Sequence, residues 1–183
     1  MAANKRDDDE QYETVHSKSV QWEKEWIDTI YIPFIVANYT KDWNWKFLSM
    51  NANITMDIVK THHHLPWDFE GFSMNPNVTA ATIKENPLRP WNLEALKRNP
   101  NHHKPHVHKS STGFTAEVYR VPKLTLELVR KSPNTSWDLA EFSRHPDLTL
   151  EMVKTTIDKA WDWNFLSLHT FEKDKHNYVK DKV

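Results

Sequence analysis

Cysteine is absent from the chain, and with it go disulfides, thiolate metal sites and cysteine nucleophiles. Glycine is almost absent: Gly71 and Gly113 are the two copies, too few for a phosphate loop or a dinucleotide fingerprint in its usual form. Long apolar runs are missing too. The longest lies within Ile30–Ala37, far short of a bilayer span, so no membrane partner is expected. Neither charge sign dominates: Lys plus Arg number 24 and Asp plus Glu 25, a net charge of −1, so no global field draws the chain to nucleic acid. Met1 to Glu10 is polar and charged, without an apolar signal core, and predicts a chain that is not secreted. No His-Glu-x-x-His and no Gly-x-Ser-x-Gly occurs.

What is present is tryptophan, nine copies in 183 residues, and it is periodic. Trp43, Trp67 and Trp91 are spaced by 24, as are Trp137 and Trp161. Gly113 takes the corresponding place in the gap, defining six units that begin at residues 43, 67, 91, 113, 137 and 161. Two further columns keep this register. Leu48, Phe72, Leu96, Val118, Phe142 and Leu166 lie five residues in, and Pro76, Pro100, Pro122 and Pro146 lie nine in, where Ala52 and Thr170 stand in the outer units.

Each unit reads as two short helices. In the first, Asn44, Asp68, Asn92, Asp138 and Asp162 follow the first position and are N-cap types, their side-chain oxygens suited to the free amides of a first turn. The residue before the cap and the apolar residue five further on then form a hydrophobic staple, as in Trp67 with Phe72 or Trp91 with Leu96. This helix should end near Asn51, Asn75 and Asn99, ahead of the proline column. The second helix has Thr55, Thr79, Thr125 and Thr149 as N-caps and Asp57, Glu127 and Glu151 near its positive end. Asn86-Pro87 and Ser132-Pro133 stop it.

Helices this short are unstable alone in water, where about 12–15 residues is already marginal. They must stack, and a lean 38% apolar content suits an elongated stack. The predicted fold class is therefore all-α: an α-solenoid of about six 24-residue two-helix repeats with an N-terminal capping helix. Residues 1–19 read as a disordered polar tail and 20–41 as the capping helix, with Trp22, Trp26, Ile30 and Phe34 as its stripe and Pro33 as a candidate break. The array occupies 42–171, and 172–183 forms a C-terminal cap or tail. The Asn-x-Ser/Thr triplets at Asn38, Asn53, Asn77 and Asn134 read as backbone chemistry of this fold, not as glycan acceptors.

Several strings carry a family resemblance: Pro66-Trp67-Asp68-Phe69, Asn75-Pro76-Asn77-Val78-Thr79, Asn86-Pro87-Leu88-Arg89-Pro90-Trp91-Asn92, Asp42-Trp43-Asn44-Trp45 and Trp161-Asp162-Trp163. Over 42–171 the chain resembles the "PWDW..LS.NPNIT" helical repeats found in uncharacterised proteins of giant nucleocytoplasmic DNA viruses. The resemblance implies a viral origin and a helical array; it implies no activity. Two units depart from it. The unit at Gly113 lacks both Trp and the Asn of Asn-Pro, and the preceding one has His102 and His103 where the family has an aliphatic residue and Thr.

Histidines also break the pattern. His62, His63 and His64 close the first unit, and His102, His103, His106 and His108 cluster in the third. Imidazoles at such spacings can bind zinc or nickel, which makes a metal-binding protein one alternative reading. No cysteine joins them, acidic ligands near 102–108 are missing, and a whole unit separates the clusters. Lys97, Arg98, Lys104, His106 and Lys109 form a mildly basic stretch, outweighed as a nucleic-acid site by the near-neutral total. No catalytic, cofactor-binding or metal residue is assigned, and no enzyme is expected. The reading that remains is a protein–protein interaction scaffold, a minor structural component of a giant-virus particle, located in the virion or host cytoplasm. The alternative is an intracellular adaptor that captures a host or viral protein. In either case residues 91–136, where the repeat is irregular, are the expected contact surface.

Overall fold

The computed structural model describes residues 17–99, 101 and 139–182. They are helical with turns between, and no strand occurs among the described residues. α1 covers 17–37 and includes a π-helical stretch, Ile27–Tyr31, before its α-helical end, Ile32–Ala37. Short helices follow: α2 Trp45–Met50, α3 Met56–Thr61, α4 Phe69–Ser73, α5 Ala80–Glu85, α6 Leu93–Arg98, α7 Leu139–Phe142, α8 Leu150–Thr155, α9 Trp163–Leu168 and α10 Glu172–Lys180.

The caps explain why such short helices start where they do. Asn44, Asp68, Asn92 and Asp162 precede α2, α4, α6 and α9, and each side chain accepts a first-turn amide. Thr55, Thr79 and Thr149 do the same for α3, α5 and α8. Asp57 and Glu151 lie in first turns, where the dipole favours them. The expected caps Asp138 and Thr125, together with Glu127, Ser132-Pro133 and Asn134, lie outside the described residues.

α1 departs from the sequence reading in two ways. It already includes 17–19, assigned above to the polar tail, and it runs through Pro33 unbroken. The π stretch just before Pro33 is the physical reason: its wider turns let the ring sit at the start of a new α segment, where no amide hydrogen is needed. The same stretch rotates the buried face. Trp26 and Phe34 are buried as expected, and Tyr31, Ile32 and Ile35 join them.

Gly71 marks a close approach between consecutive units. A Cβ there would stand 2.2 Å from the Lys46 carbonyl oxygen, so α4 crosses α2 at a separation that only glycine permits.

The apolar columns form one cluster: Leu48, Phe72, Leu96, Phe142 and Leu166 from the first helices, Val59 and Val153 from the second, with Trp43 and Trp161. The ring partners of Trp67 and Trp91 lie in the preceding unit. Trp67 meets Trp45 edge-on at 5.5 Å, and Trp91 meets Phe69 edge-on at 5.6 Å and stacks on Phe72 at 6.0 Å.

An elongated array would leave its first and last units apart. Instead the last unit packs against the first: Trp163 meets Trp43 edge-on at 4.8 Å, in the relation that Trp45 bears to Trp67. α1 and α10 flank this seam. Phe34 packs on Trp43, Tyr31 on Phe171, and the Tyr178 hydroxyl donates to Glu25 at 2.6 Å.

Candidate functional site

The polar side chains that recur with the repeat are directed inward, at the next unit. Ser73 and Ser167 in α4 and α9, and Ser143 just after α7, each donate to the carbonyl four residues back, at 2.6 Å. Their oxygens, and that of Ser49, accept the cap-residue amide of the adjoining unit. Asp68 donates to Ser49, Asn92 to Ser73 and Asp162 to Ser143, at 2.9, 3.0 and 3.1 Å. A buried hydroxyl thus joins the end of one helix to the start of the next unit's helix.

Two residues further along in register is an amide ladder. The Asn75 side-chain amide donates to the carbonyls of Ser49, Asn51 and Ile54 at 2.8, 2.8 and 3.1 Å. Asn99 donates in the same way to Ser73, Asn75 and Val78 at 3.0, 2.8 and 3.3 Å. The oxygen of each accepts the amide two residues on, at Asn77 and Asn101. Those residues reach back in turn, Asn77 to Ala52 and Asn101 to Pro76, both at 2.8 Å. Helix-end carbonyls that lack an intrahelical partner are satisfied by the following unit.

The seam repeats this set. Asn44 donates its amide to Ser167 at 3.0 Å, Asn51 its side chain to the carbonyls of Ser167 and His169 at 2.9 and 3.2 Å, and Asn53 to Thr170 at 3.0 Å. The last unit therefore stands to the first as the first stands to the second.

In the C-terminal units the ladder position is held by imidazole. His169 Nδ1 accepts the Phe171 amide at 3.0 Å, and its Nε2 faces the His145 carbonyl at 3.1 Å. His145 Nδ1 accepts the Asp147 amide at 3.0 Å. Burial pushes His169 down to about 4; its carbonyl bond to His145 and the nearby Glu172 oppose this. Beside it, Phe171 adopts φ 52°, a left-handed conformation rare for an aromatic residue, and is fully buried. Asp174 reaches 24 residues back to accept the Leu150 amide at the start of α8 at 2.7 Å, and burial raises its pKa. Lys175 is buried, with Nζ 3.1 Å from Asn53 Oδ1 and 2.7 Å from Glu172.

The indoles complete the accounting. Trp43, Trp67, Trp91 and Trp161 each donate Nε1–H to the carbonyl five residues earlier, at Asn38, His62, Asn86 and Thr156, over 2.9 to 3.0 Å. Each of these carbonyls belongs to the C-cap of the preceding helix. Trp137 lies outside the described residues.

Of the histidines singled out by sequence, His63 and His64 are exposed and His62 partly so, with rings 6.0 and 6.2 Å apart. His63 Nδ1 lies 3.3 Å from the Lys60 carbonyl. His102, His103, His106 and His108 lie outside the described residues, as do Lys104 and Lys109. No three metal-type ligands converge among the described residues. Lys97 pairs with Glu94 at 2.7 Å, and Arg98 donates to the Glu94 carbonyl. Among the described residues no helix is long and apolar enough to cross a membrane, and no buried side-chain polar atom lacks a partner.

Sequence reading missed the serine column and the ladder role of His145 and His169. Both had a signal: Ser49, Ser73, Ser143 and Ser167 share a register, and His145 and His169 fall at the place of Asn51, Asn75 and Asn99. Asp174 and Lys175 had none, since they lie past the last recognisable column. Comparisons with protein-family models, with curated proteins and with solved structures found no match to this chain.

Proposed function

We propose that the chain is a non-enzymatic protein–protein interaction scaffold, an α-solenoid of about six 24-residue two-helix units with an N-terminal capping helix, serving as a minor structural component of a giant-virus particle. The observation that carries this reading is the ladder. Its serines, asparagines and indole N–H groups are engaged at equivalent bonds from unit to unit. Residues used to join units are not free for chemistry, which leaves the outward surface as the working part. The viral assignment rests on the sequence resemblance over 42–171.

The contact surface is assigned to 91–136, and its described edge supports that choice. Trp45, Phe69 and Trp163 each carry the tryptophan of the adjoining unit. Leu93 occupies their position, but Gly113 stands where its tryptophan would be, and Leu93 is 71% exposed. Leu88, on the preceding turn, is 96% exposed. Two uncovered leucines beside an irregular unit suit a protein partner. Quantitative mass spectrometry of purified particles tests the reading: many copies per particle are expected. Few or none would replace it with the adaptor alternative.

A further inference from the structure

At the ladder position, asparagine and imidazole differ in one respect. The amide is donor and acceptor at every pH, whereas imidazole is both only when neutral. His169 Nδ1 accepts the Phe171 amide, so the neutral ring carries its proton on Nε2, towards the His145 carbonyl. His145 Nδ1 is occupied likewise by the Asp147 amide. A second proton can add only at Nδ1, where an N–H already points at the ring.

We infer that His145 and His169 form an acid-operated latch: protonation expels the His169 ring and releases the last unit from the preceding one and α10 from the first unit, while the units of 43–99, joined to one another by Asn75 and Asn99, stay together. Residue 169 couples the two events. Its ring holds the preceding unit, and its carbonyl accepts from Asn51 across the seam at 3.2 Å. The amide lost on protonation belongs to Phe171, the N-cap of α10, whose ring lies 4.3 Å from the imidazole and 6.0 Å from Tyr31. Losing that amide contact removes support for a left-handed backbone that packing alone must then maintain.

The surrounding groups do not cancel the effect. On α10, Glu172 favours the imidazolium but is paired with Lys175 at 2.7 Å. In the preceding unit His145 opposes it, and Asp147 is paired with Lys173 at 3.3 Å. From the first unit come Asn51 and Asn53, and from α1 the Tyr31 phenol, kept un-ionised by burial. Burial holds His169 at about 4, against 6.5 for an ordinary histidine. The open form therefore takes up the proton first. Closure is fully stable above 6.5 and weakens as the pH falls towards about 4, the opening constant rising about tenfold per pH unit for one proton.

Amide hydrogen exchange from about pH 7.5 to about pH 4, corrected for intrinsic rates, tests the latch in the full chain. In the wild type, residues 161–180 should lose protection before 45–99, about tenfold per pH unit. The double variant His145→Asn/His169→Asn, which restores the residue of the other units, should lose that dependence. An unchanged acid profile in the variant would overturn the inference. Should the variant misfold, nitrogen-15 shifts of the wild-type imidazoles decide: a His169 ring carrying its proton on Nδ1 at neutral pH sinks the latch.

Discussion

Single residues in this fold are chosen for the number of bonds they can close at one point. Asn75 places one amide against three carbonyls and one oxygen against an amide, and no other side chain of its size does both. Asn75→Asp would set a carboxylate against three carbonyl oxygens. With a desolvation cost of about 1–3 kcal/mol per unpaired buried group, the loss should be about 3 kcal/mol or more, read by denaturant unfolding. Gly71→Ala brings a Cβ to 2.2 Å from a backbone oxygen that cannot swing away, and should cost about 1–3 kcal/mol or force α4 off α2. A change smaller than about 0.5 kcal/mol in Tm-derived stability would mean that the two helices are not so closely apposed. Sequence reading saw Asn51, Asn75 and Asn99 only as helix ends ahead of the column that holds Ala52, Pro76 and Pro100. Their bonds go to backbone carbonyls in another unit, and a carbonyl has no sequence signature. Gly71 was equally silent, because what makes it necessary is an atom of Lys46.

Helices of four to six residues cannot hold themselves, so each end must be closed from outside. The N-termini were legible, since capping needs a short polar side chain at a fixed offset and the offset repeats. The C-termini were placed by sequence, near Asn51, Asn75 and Asn99 and at Asn86-Pro87, but what closes them was not legible. The first helices' end carbonyls accept from the asparagine ladder, and the cap carbonyls of the second helices accept from an indole further along the chain, where sequence offers only a staple. Stapling places each ring over its own helix, whereas the ring contacts observed for Trp67 and Trp91 are with the preceding unit. Two substitutions separate the roles. Trp67→Phe keeps most of the apolar surface but leaves the His62 carbonyl without its indole donor, an expected loss of about 1 kcal/mol beyond that of the reduced area. Thr149→Ala removes the cap that accepts the Met152 amide and should also cost about 1 kcal/mol. Equal effects of Trp67→Phe and a matched substitution at Trp45, whose indole has no such place in the register, would argue that the N–H bond contributes nothing.

For the molecule as a whole, the finding that periodicity could not supply is where the array ends. A repeat fixes how one unit meets the next but says nothing about whether the last meets the first. Here the surfaces are interchangeable: Ser167 offers the oxygen that Ser49 offers, and Trp163 the ring that Trp45 offers. The seam is therefore chemically one more interunit contact, and what distinguishes it is chain connectivity. Asn44 bonds to Ser167 across 123 residues, while Asp68 bonds to Ser49 across 19. Loop-closure entropy grows with the logarithm of that separation, a difference of about 1–2 kcal/mol against the seam. Two amides with the same donor, acceptor and near-equal length should thus differ in hydrogen exchange at neutral pH, Asn44 opening roughly tenfold or more ahead of Asp68. Equal protection would mean that the contacts of α1 and α10, Phe34 on Trp43 and Tyr178 on Glu25 among them, offset the longer loop. In that case the two flanking helices serve as a clasp over the seam, and deleting 172–183 should restore the difference.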